Sequence, residues 1–332
     1  MKETQTLIDL VSRLRMGPSA HAGHLTLIPV LAPEEAPAGP QPYLLYQQAQ
    51  DLGLISIEEV STAGVVGELQ VANRGNQPVL LVEGEVLLGM KQTRVLNVTI
   101  LVPGQAVLEV PVSCVEAGRW HAVSEEATGK AAVHLAPSVR ATKTVTVARS
   151  MRGARTFASD QGEVWAGVDR VLDGHGAHAP SRSYADLGVV AAPAAGDIAR
   201  SVEPALDQVG VLLLVGGQVS CVDVFEAPKV LRALWSGLLA SYQAEELGTV
   251  GRKSPVARTR AEKAARDWFK SIAQGSISVG PEIGLGAHVT VVAPGVEAAV
   301  LVNEGRVVHL SAFPAHTEAS SARFVRPARR RG

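Results

Sequence analysis

The chain has 332 residues, of which 46% are hydrophobic and 19% are charged, and its formal net charge is -1. This composition is typical of a folded globular protein and excludes a disordered chain, while the near-neutral charge gives no argument for nucleic acid or an anionic membrane as a partner. Because the length exceeds the usual size of a single domain, one large domain or two coupled domains are expected.

No hydrophobic run approaches the ~18 residues that a membrane-spanning helix needs, and the first residues lack the hydrophobic stretch of a signal peptide. We therefore expect a cytoplasmic protein with no membrane partner. The only cysteines, Cys114 and Cys221, are too few for a disulfide scaffold or a four-cysteine zinc site. They are expected to be small buried strand residues, with a reactive or paired thiol as the alternative.

The N-terminal half begins with apolar residues at helical spacing before Gly17, which predicts an amphipathic helix over residues 3–16. Residues 24–30 alternate as a strand, and residues 43–53 predict a single short helix. Between residues 54 and 115, six short apolar runs are bounded by Gly, Pro or Asn. This spacing favours an antiparallel sandwich or barrel.

The second half combines helices with hairpins. Asp160 and Glu163 have the spacing of a capping box, which predicts a helix that begins there. From residue 209 the pattern predicts a hairpin, two amphipathic helices and closing hairpin strands. The predicted fold class is therefore α+β, with an antiparallel β-rich core that resembles a sandwich or barrel, a helical middle segment and a C-terminal hairpin-helix-helix-hairpin unit.

The predicted domain organisation follows these changes of pattern. It has an N-terminal helix and β-rich region over residues 1–120, a helical and loop segment over 121–205, a C-terminal α+β unit over 206–314 that packs on the first region, and a basic disordered tail over 315–332.

Polar residues interrupt the apolar stretch over residues 79–103. Gln92 and Arg94 share a face with Leu96, which places an amide and a guanidinium at the edge of the core, where unpaired polar groups are costly. One interpretation is a semi-buried salt bridge between Arg94 and Glu85 that fixes the hairpin register. That interpretation would suit a non-catalytic scaffold or an oligomeric protein. In the second case, the partners would be further copies of the same chain in a homo-oligomer.

The other interpretation is a ligand site. Lys91, Arg94 and Arg119 would face an anionic ligand, and Trp120 would stack on it beside the arginine. The predicted ligand-binding residues are Glu85, Gly89, Lys91, Gln92, Arg94, Asn97, Cys114, Glu116, Arg119 and Trp120. If the protein is an enzyme, Glu85 or Glu116 would be the general base.

Two long motifs carry a resemblance to a known family. "EGEVLLGMKQTRVLN" and "LVPGQAVLEVPVSCVEAGRW" resemble the signature of the ADP-ribosylglycohydrolase- and rhodanese/phosphatase-superfamily-associated protein domain, a bacterial family. The likeness continues in "SDQGEVW" and "GRVVHLSAF", so it covers nearly the whole chain. Thr93, Ala117 and the loop over residues 173–184 depart from the family pattern. The family is named for its genomic company, which implies ADP-ribose or NAD metabolism.

Three function hypotheses follow. The first is a binding module or sensor for an anionic nucleotide such as ADP-ribose or NAD. The second is a hydrolase-type enzyme that acts on such a compound, and the third is the scaffold described above. The sequence leaves open whether the protein is an enzyme.

The remaining signals are expected to be structural. The D-x-H-x-x-H pattern at Asp173, His175 and His178 lies in a glycine-rich loop that would hold a metal poorly, so neither a metal nor a cofactor is predicted. The segment over residues 127–159 has basic residues and no acidic ones, which we interpret as a solvated helical face rather than a nucleic-acid site. His309 is expected to be a core-edge histidine rather than a general base.

Overall fold

The computed structural model describes residues 2–33, 41–61, 64–119, 124, 126–128, 134–177, 181–187, 202–247 and 258–315. The α-helices in these ranges are α1 (Lys2–Arg13), α2 (Tyr46–Asp51), α3 (Pro137–Gly153), α4 (Gln161–Gly174), α5 (Pro228–Leu247) and α6 (Arg258–Gln274). In the part of the chain so described, no helix has the length and hydrophobicity needed to cross a membrane.

The strands before α3 are β1 (Arg15–Met16), β2 (Ala20–Ala22), β3 (Leu25–Leu31), β4 (Leu44–Leu45), β5 (Ile55–Glu59), β6 (Glu68–Asn73), β7 (Val79–Leu81), β8 (Val86–Gly89), β9 (Arg94–Leu96), β10 (Ile100–Val102), β11 (Ala106–Cys114) and β12 (Ala127–Thr128). The later strands are β13 (Gln208–Val215), β14 (Gln218–Phe225), β15 (Ser276–Val279), β16 (Ala287–Ala293), β17 (Val296–Asn303) and β18 (Arg306–Pro314).

A large antiparallel sheet has the strand order β1-β3-β13-β14-β18-β17-β16-β15, with β2 paired to β3. Strand β13 lies between β3 and β14 and is buried along its whole length, which explains its nearly uninterrupted apolar sequence. The N-terminal strand β3 is thus built into the same sheet as the C-terminal hairpins.

The second β-structure is a curled half-barrel. It consists of a six-stranded sheet with the order β12-β8-β9-β11-β6-β5 and a three-stranded sheet with the order β10-β7-β4. All of these pairs are antiparallel except β4 with β7. Leu69, Val71, Leu87 and Leu96 belong to the apolar cluster of the half-barrel.

Helices α1 and α6 cover one face of the large sheet, where Leu7 and Phe269 share a hydrophobic cluster with Ile28 and Val300. The other face is covered by α5 and by part of the half-barrel, because Leu238 shares a cluster with Leu213 and Leu80 of β7. The sheet is therefore buried between two helical layers and a second sheet.

Helix α3 lies between the large sheet and the half-barrel. Its Val147 and Met151 pack in the half-barrel core, whereas Ala141 packs in the cluster shared with the large sheet. Because both flanks are covered, polar side chains of this helix are placed in the interior of the molecule.

The predicted α+β class is confirmed, with a large antiparallel sheet, the half-barrel and six helices in the described residues. The predicted cap is also confirmed, since the Asp160 carboxylate accepts a hydrogen bond from the Glu163 N–H at 3.1 Å. The single helix expected over residues 43–53 is shorter, because Leu44 and Leu45 pair with β7 before α2 begins.

Candidate functional site

Most of the predicted ligand-binding residues come together around the loop between β8 and β9. This hairpin cluster comprises Glu59, Gly89, Lys91, Gln92, Arg94, Cys114, Glu116 and Arg119. It forms because β9 pairs with β11 in a register that places Arg94 opposite Cys114, so that Glu116 and Arg119 follow directly beside the loop.

Arg94 is fully buried and Lys91 is half-buried. The Arg94 guanidinium donates to Gln92 Oε1 at 3.1 Å, and its Nη2 lies 3.8 Å from Glu59 Oε1. Glu59 also accepts a hydrogen bond from the main-chain N–H of Lys91 at 3.1 Å, so this one carboxylate contacts both Lys91 and Arg94. The expected Arg94–Glu85 pair is thereby replaced by a contact with a different strand.

Arg119 fixes the loop from the other side. Its Nε and Nη2 donate to the Glu116 carboxylate at 2.8 and 2.7 Å, and its Nη1 donates to the Met90 carbonyl at 2.7 Å. Gly89 has a φ of 95°, in the region where glycine is favoured, and a Cβ there would clash with Ser124. The loop is thus held in one conformation by side chains and by a glycine turn.

Glu116 is a strongly bound carboxylate. It accepts hydrogen bonds from both the N–H and the hydroxyl of Thr93 at 2.9 Å, in addition to those from Arg119. Although burial alone would raise its pKa, the hydrogen bonds from Arg119 and Thr93 hold the pKa of Glu116 below its ordinary value. A carboxylate in this state is a poor general base.

Cys114 and Cys221 are both buried and free, as expected for structural strand residues. Burial raises the pKa of the Cys114 thiol to about 11, even though the charge of Arg94 opposes this shift. The thiol therefore stays protonated at neutral pH and is not an activated nucleophile.

Two predicted residues lie elsewhere, and one lies outside the described residues. Glu85 ends the turn after β7, where its carboxylate accepts a hydrogen bond from the Val82 N–H at 2.6 Å. Asn97 points into the interior and donates to the Phe157 carbonyl at 3.0 Å. Trp120 belongs to the part of the chain that is not described, so the predicted aromatic wall stays a prediction.

A second group of charged residues, which the sequence did not predict as a unit, lies in the interior. This buried ionic cluster comprises Glu83, Arg140, Lys143, Asp223 and His309, all at most 1% exposed. They come from the β7–β8 turn, from α3, and from the neighbouring strands β14 and β18. The cluster therefore joins the half-barrel to the large sheet through α3.

Arg140 is the centre of this cluster. It donates to both oxygens of Asp223, at 2.6 and 3.1 Å, and to Glu83 Oε2 at 2.8 and 3.1 Å. Lys143 Nζ lies 2.6 Å from Glu83 Oε1 and donates to the Asn97 carbonyl at 2.9 Å. Two cations thus face two carboxylates, an arrangement that offsets the cost of burying each charge.

The electrostatics keep both carboxylates ionised. Burial alone would raise the pKa of Glu83, but the charges of Arg140 and Lys143 lower it to about 2. Burial also opposes ionisation of Asp223, and Arg140 again reverses the effect and lowers its pKa. Tyr242 adds a hydrogen bond to Asp223 at 3.1 Å.

The remaining structural signals have clear positions. His309 is buried as expected, with Nδ1 2.7 Å from Thr99 Oγ1 and its ring stacked on Phe225. His175 bonds the Ala244 carbonyl, and His178 lies outside the described residues. Within the described ranges, no group of three or more His, Cys, Asp or Glu side chains could hold a metal ion.

The solvated helical face expected over residues 127–159 is wrong for Arg140 and Lys143, because α3 is covered on both flanks. A sequence signal for the ionic cluster was nevertheless present. Asp223 interrupts an apolar strand, and a lone acid in a strand buried on both faces requires a buried cation.

Seven of the eight residues of the hairpin cluster lie in the two long motifs that resemble a known family. The family model described as "ARG and Rhodanese-Phosphatase-superfamily-associated Protein domain" matches residues 13–313. No curated protein and no solved structure gives a match to the chain. Because the family model spans most of its length, this chain belongs to the ARG and Rhodanese-Phosphatase-superfamily-associated Protein domain family.

Proposed function

We propose that the protein is a binding module for a small anionic ligand of the nucleotide type, and that the hairpin cluster is its site. The observation that carries the proposal is the convergence of Lys91, Arg94 and Arg119 on one loop. The carboxylates of the cluster, as defined above, are Glu59 and Glu116. Three cations gathered beside one loop suit the recognition of a phosphate or carboxylate group.

Binding without catalysis is supported by the state of Glu116. Its carboxylate is already held by Arg119 and Thr93, so it is unsuited to accept a proton from a substrate. The hairpin cluster therefore offers cationic and main-chain groups that can bind an anion, while its predicted general base, Glu116, is already bound by Arg119 and Thr93.

ADP-ribose and NAD are the first ligands to test, because the resemblance of the sequence motifs implies a family associated with ADP-ribosylglycohydrolases. The experiment is a thermal-shift titration with ADP-ribose, NAD, ADP and inorganic phosphate. A ligand at 100 times its dissociation constant stabilises the folded state by about 2.7 kcal/mol. We expect a concentration-dependent shift for at least one nucleotide.

The matched variants are Lys91→Gln and Lys263→Gln. Each removes one positive charge, but Lys263 lies on the exposed side of α6, where it pairs with Asp267. We expect Lys91→Gln to weaken binding about tenfold, the effect of losing one charged hydrogen bond, while Lys263→Gln binds like wild type. Equal binding by both variants, or no shift with any of the anions, would contradict the proposal.

An enzyme that hydrolyses such a compound is the second candidate, and Glu85 is the observation that favours it. Burial raises the pKa of Glu85 to about 7, against the opposing effect of its hydrogen bond from Val82. A carboxyl with a pKa near the working pH suits a general acid or base. To test this candidate, wild type and Glu85→Gln are each incubated with NAD or ADP-ribose, and product formation is measured by chromatography. Turnover that Glu85→Gln abolishes would favour it, and an absence of turnover would remove it.

A further inference from the structure

A small cavity lies between α3 and the strands β16 to β18, next to the buried ionic cluster, and its volume is about 20 Å³. Seven residues of its wall have polar side chains, although the cavity lies in the interior of the protein. They are Glu83, Asn97, Thr99, Thr144, His288, Thr290 and Ser311. Each of them is at most 6% exposed, so bulk solvent does not satisfy these groups.

Apart from Glu83 Oε1, which is paired with Lys143, four polar atoms of this wall have no hydrogen-bond partner among the described residues. They are Thr144 Oγ1, His288 Nδ1, Thr290 Oγ1 and Ser311 Oγ. A buried polar group left without a partner costs about 1–3 kcal/mol. Most buried polar groups in native proteins have a hydrogen-bond partner, and one shared partner inside the cavity would serve all four of these atoms.

The register of the large sheet explains why these groups meet. Thr290 and Ser311 are both paired with Ala299, one from each side, so they stand at the same level of three adjacent strands. The small Ala299 side chain leaves space between them. Thr144 of α3 closes this space from the opposite side.

His288 fixes the hydrogen-bonding character of the occupant. Its Nε2 lies 2.8 Å from the Thr99 carbonyl, which can only accept, so the ring proton is on Nε2. Burial lowers the pKa of His288, which keeps the ring neutral at physiological pH and leaves Nδ1 as an acceptor. The occupant must therefore donate to Nδ1, and it can also accept from the surrounding hydroxyls.

Size and charge restrict the occupant further. A cavity of about 10–15 Å³ or more holds one water molecule, and larger hydrogen-bonding molecules need more space. A charged occupant is disfavoured because Glu83, the one carboxylate in the wall, is already balanced by Arg140 and Lys143.

We propose that this cavity is a specific binding site for one water molecule, which donates to His288 Nδ1 and completes the hydrogen bonding of Thr144, Thr290 and Ser311. The water links α3 to the large sheet beside the ionic cluster. It is a fixed component of the fold and is independent of the ligand proposed for the hairpin cluster.

The test combines a high-resolution crystal structure of the full chain with ¹⁵N NMR of the His288 ring. We expect one ordered water within hydrogen-bonding distance of His288 Nδ1. We also expect a ring in the Nε2-protonated form whose Nδ1 resonance is that of a hydrogen-bonded nitrogen. Assignment uses the His288→Gln variant.

Thr290→Val removes one hydroxyl at nearly constant volume, and Thr142→Val is its control, because the Thr142 hydroxyl bonds the Ser138 carbonyl of its own helix. We expect the Nδ1 resonance to move towards that of a free lone pair in Thr290→Val and to stay unchanged in Thr142→Val. A cavity without water density in the wild type, or one that takes up xenon under pressure as dry cavities do, would overturn the proposal. A different molecule found there would also overturn it. The crystal structure and the xenon experiment use the wild-type protein, so they test the proposal even if Thr290→Val fails to fold.

Discussion

Arg140 of α3 binds both carboxylate oxygens of Asp223 in β14, at 2.6 and 3.1 Å, although neither side chain is exposed to solvent. The same guanidinium binds Glu83 in the turn of the half-barrel. One side chain therefore connects the helix to both β-structures, and the connection depends on charges that water cannot screen.

Removing this guanidinium is expected to be strongly destabilising. Arg140→Met keeps most of the side-chain volume but leaves Glu83 and Asp223 as buried carboxylates without their main partner. We expect a loss of about 3–5 kcal/mol in the free energy of unfolding. Urea denaturation followed by circular dichroism measures it.

The control for this variant is Arg152→Met on the same helix. Arg152 is 40% exposed and makes one ion pair within the described residues, 3.5 Å from Glu297, so its removal is expected to cost clearly less than the removal of Arg140. Equal losses for the two variants would contradict the central place of Arg140 in the cluster.

Glu85 is expected to make the protein less stable as the pH rises. Its pKa is about 7 in the folded protein and 4.5 in the ordinary state, so between these values the folded protein holds a proton that the unfolded chain releases. Stability from this group is full below pH 4.5 and is lost as the pH rises through 7. Thermal denaturation from pH 5 to pH 8 measures this dependence.

Glu85→Gln keeps the hydrogen bond from Val82 and cannot ionise. We expect it to be more stable than wild type by about 1–3 kcal/mol at pH 8, and to differ little at pH 5. Glu109→Gln, on the exposed side of β11, is the control and should not change the pH dependence. A wild-type protein that is no less stable at pH 8 than its Glu85→Gln variant would refute a protonated Glu85.

His134 is expected to limit stability in acid. It is fully buried, and burial together with the charge of Arg140 lowers its pKa from 6.5 to about 3. Between these values the unfolded chain binds a proton that the folded protein does not, so stability falls as the pH drops below 6.5.

The variant that tests this is His134→Leu, with His21→Leu in the exposed strand β2 as its control. The slope of unfolding free energy against pH between pH 6 and pH 4 should decrease by up to about 1.4 kcal/mol per pH unit in His134→Leu only. An unchanged slope in His134→Leu would contradict the prediction that His134 stays neutral in the folded protein in this pH range.

The two thiols are expected to be inert in the folded protein, because both are buried and their pKa values are raised by burial. A thiol-reactive dye should label neither Cys114 nor Cys221 within the time that labels both in urea. Rapid labelling of Cys114 in the native state would contradict this expectation and would favour a reactive thiol.

The sequence predicted features that depend on local patterns. The cap at Asp160 was predictable because its partner lies three residues along the chain, and the hairpin cluster was detectable because Gln92 and Arg94 break the alternation of a strand. Its carboxylate Glu59 was missed, since nothing in the sequence indicates that β5 reaches the β8–β9 loop.

Features that depend on distant pairing were not predictable in this way. Strand β3 pairs with β13 across a long stretch of chain, and this places N-terminal residues within the C-terminal sheet. The charges of α3 suggested exposure to solvent, but the helix is enclosed by two β-structures that a local pattern cannot position. Arg140 and Lys143 were therefore misassigned to the surface.

Hydrogen–deuterium exchange of the wild-type protein, with and without saturating ADP-ribose, tests the proposed binding site most directly. We expect slower exchange in peptides that cover residues 86–96 and 112–119, because an anion bound at Lys91 would stabilise the loop and its neighbouring strand. Protection confined to other parts of the chain, or none at a concentration that shifts the melting temperature, would contradict the assignment of the site.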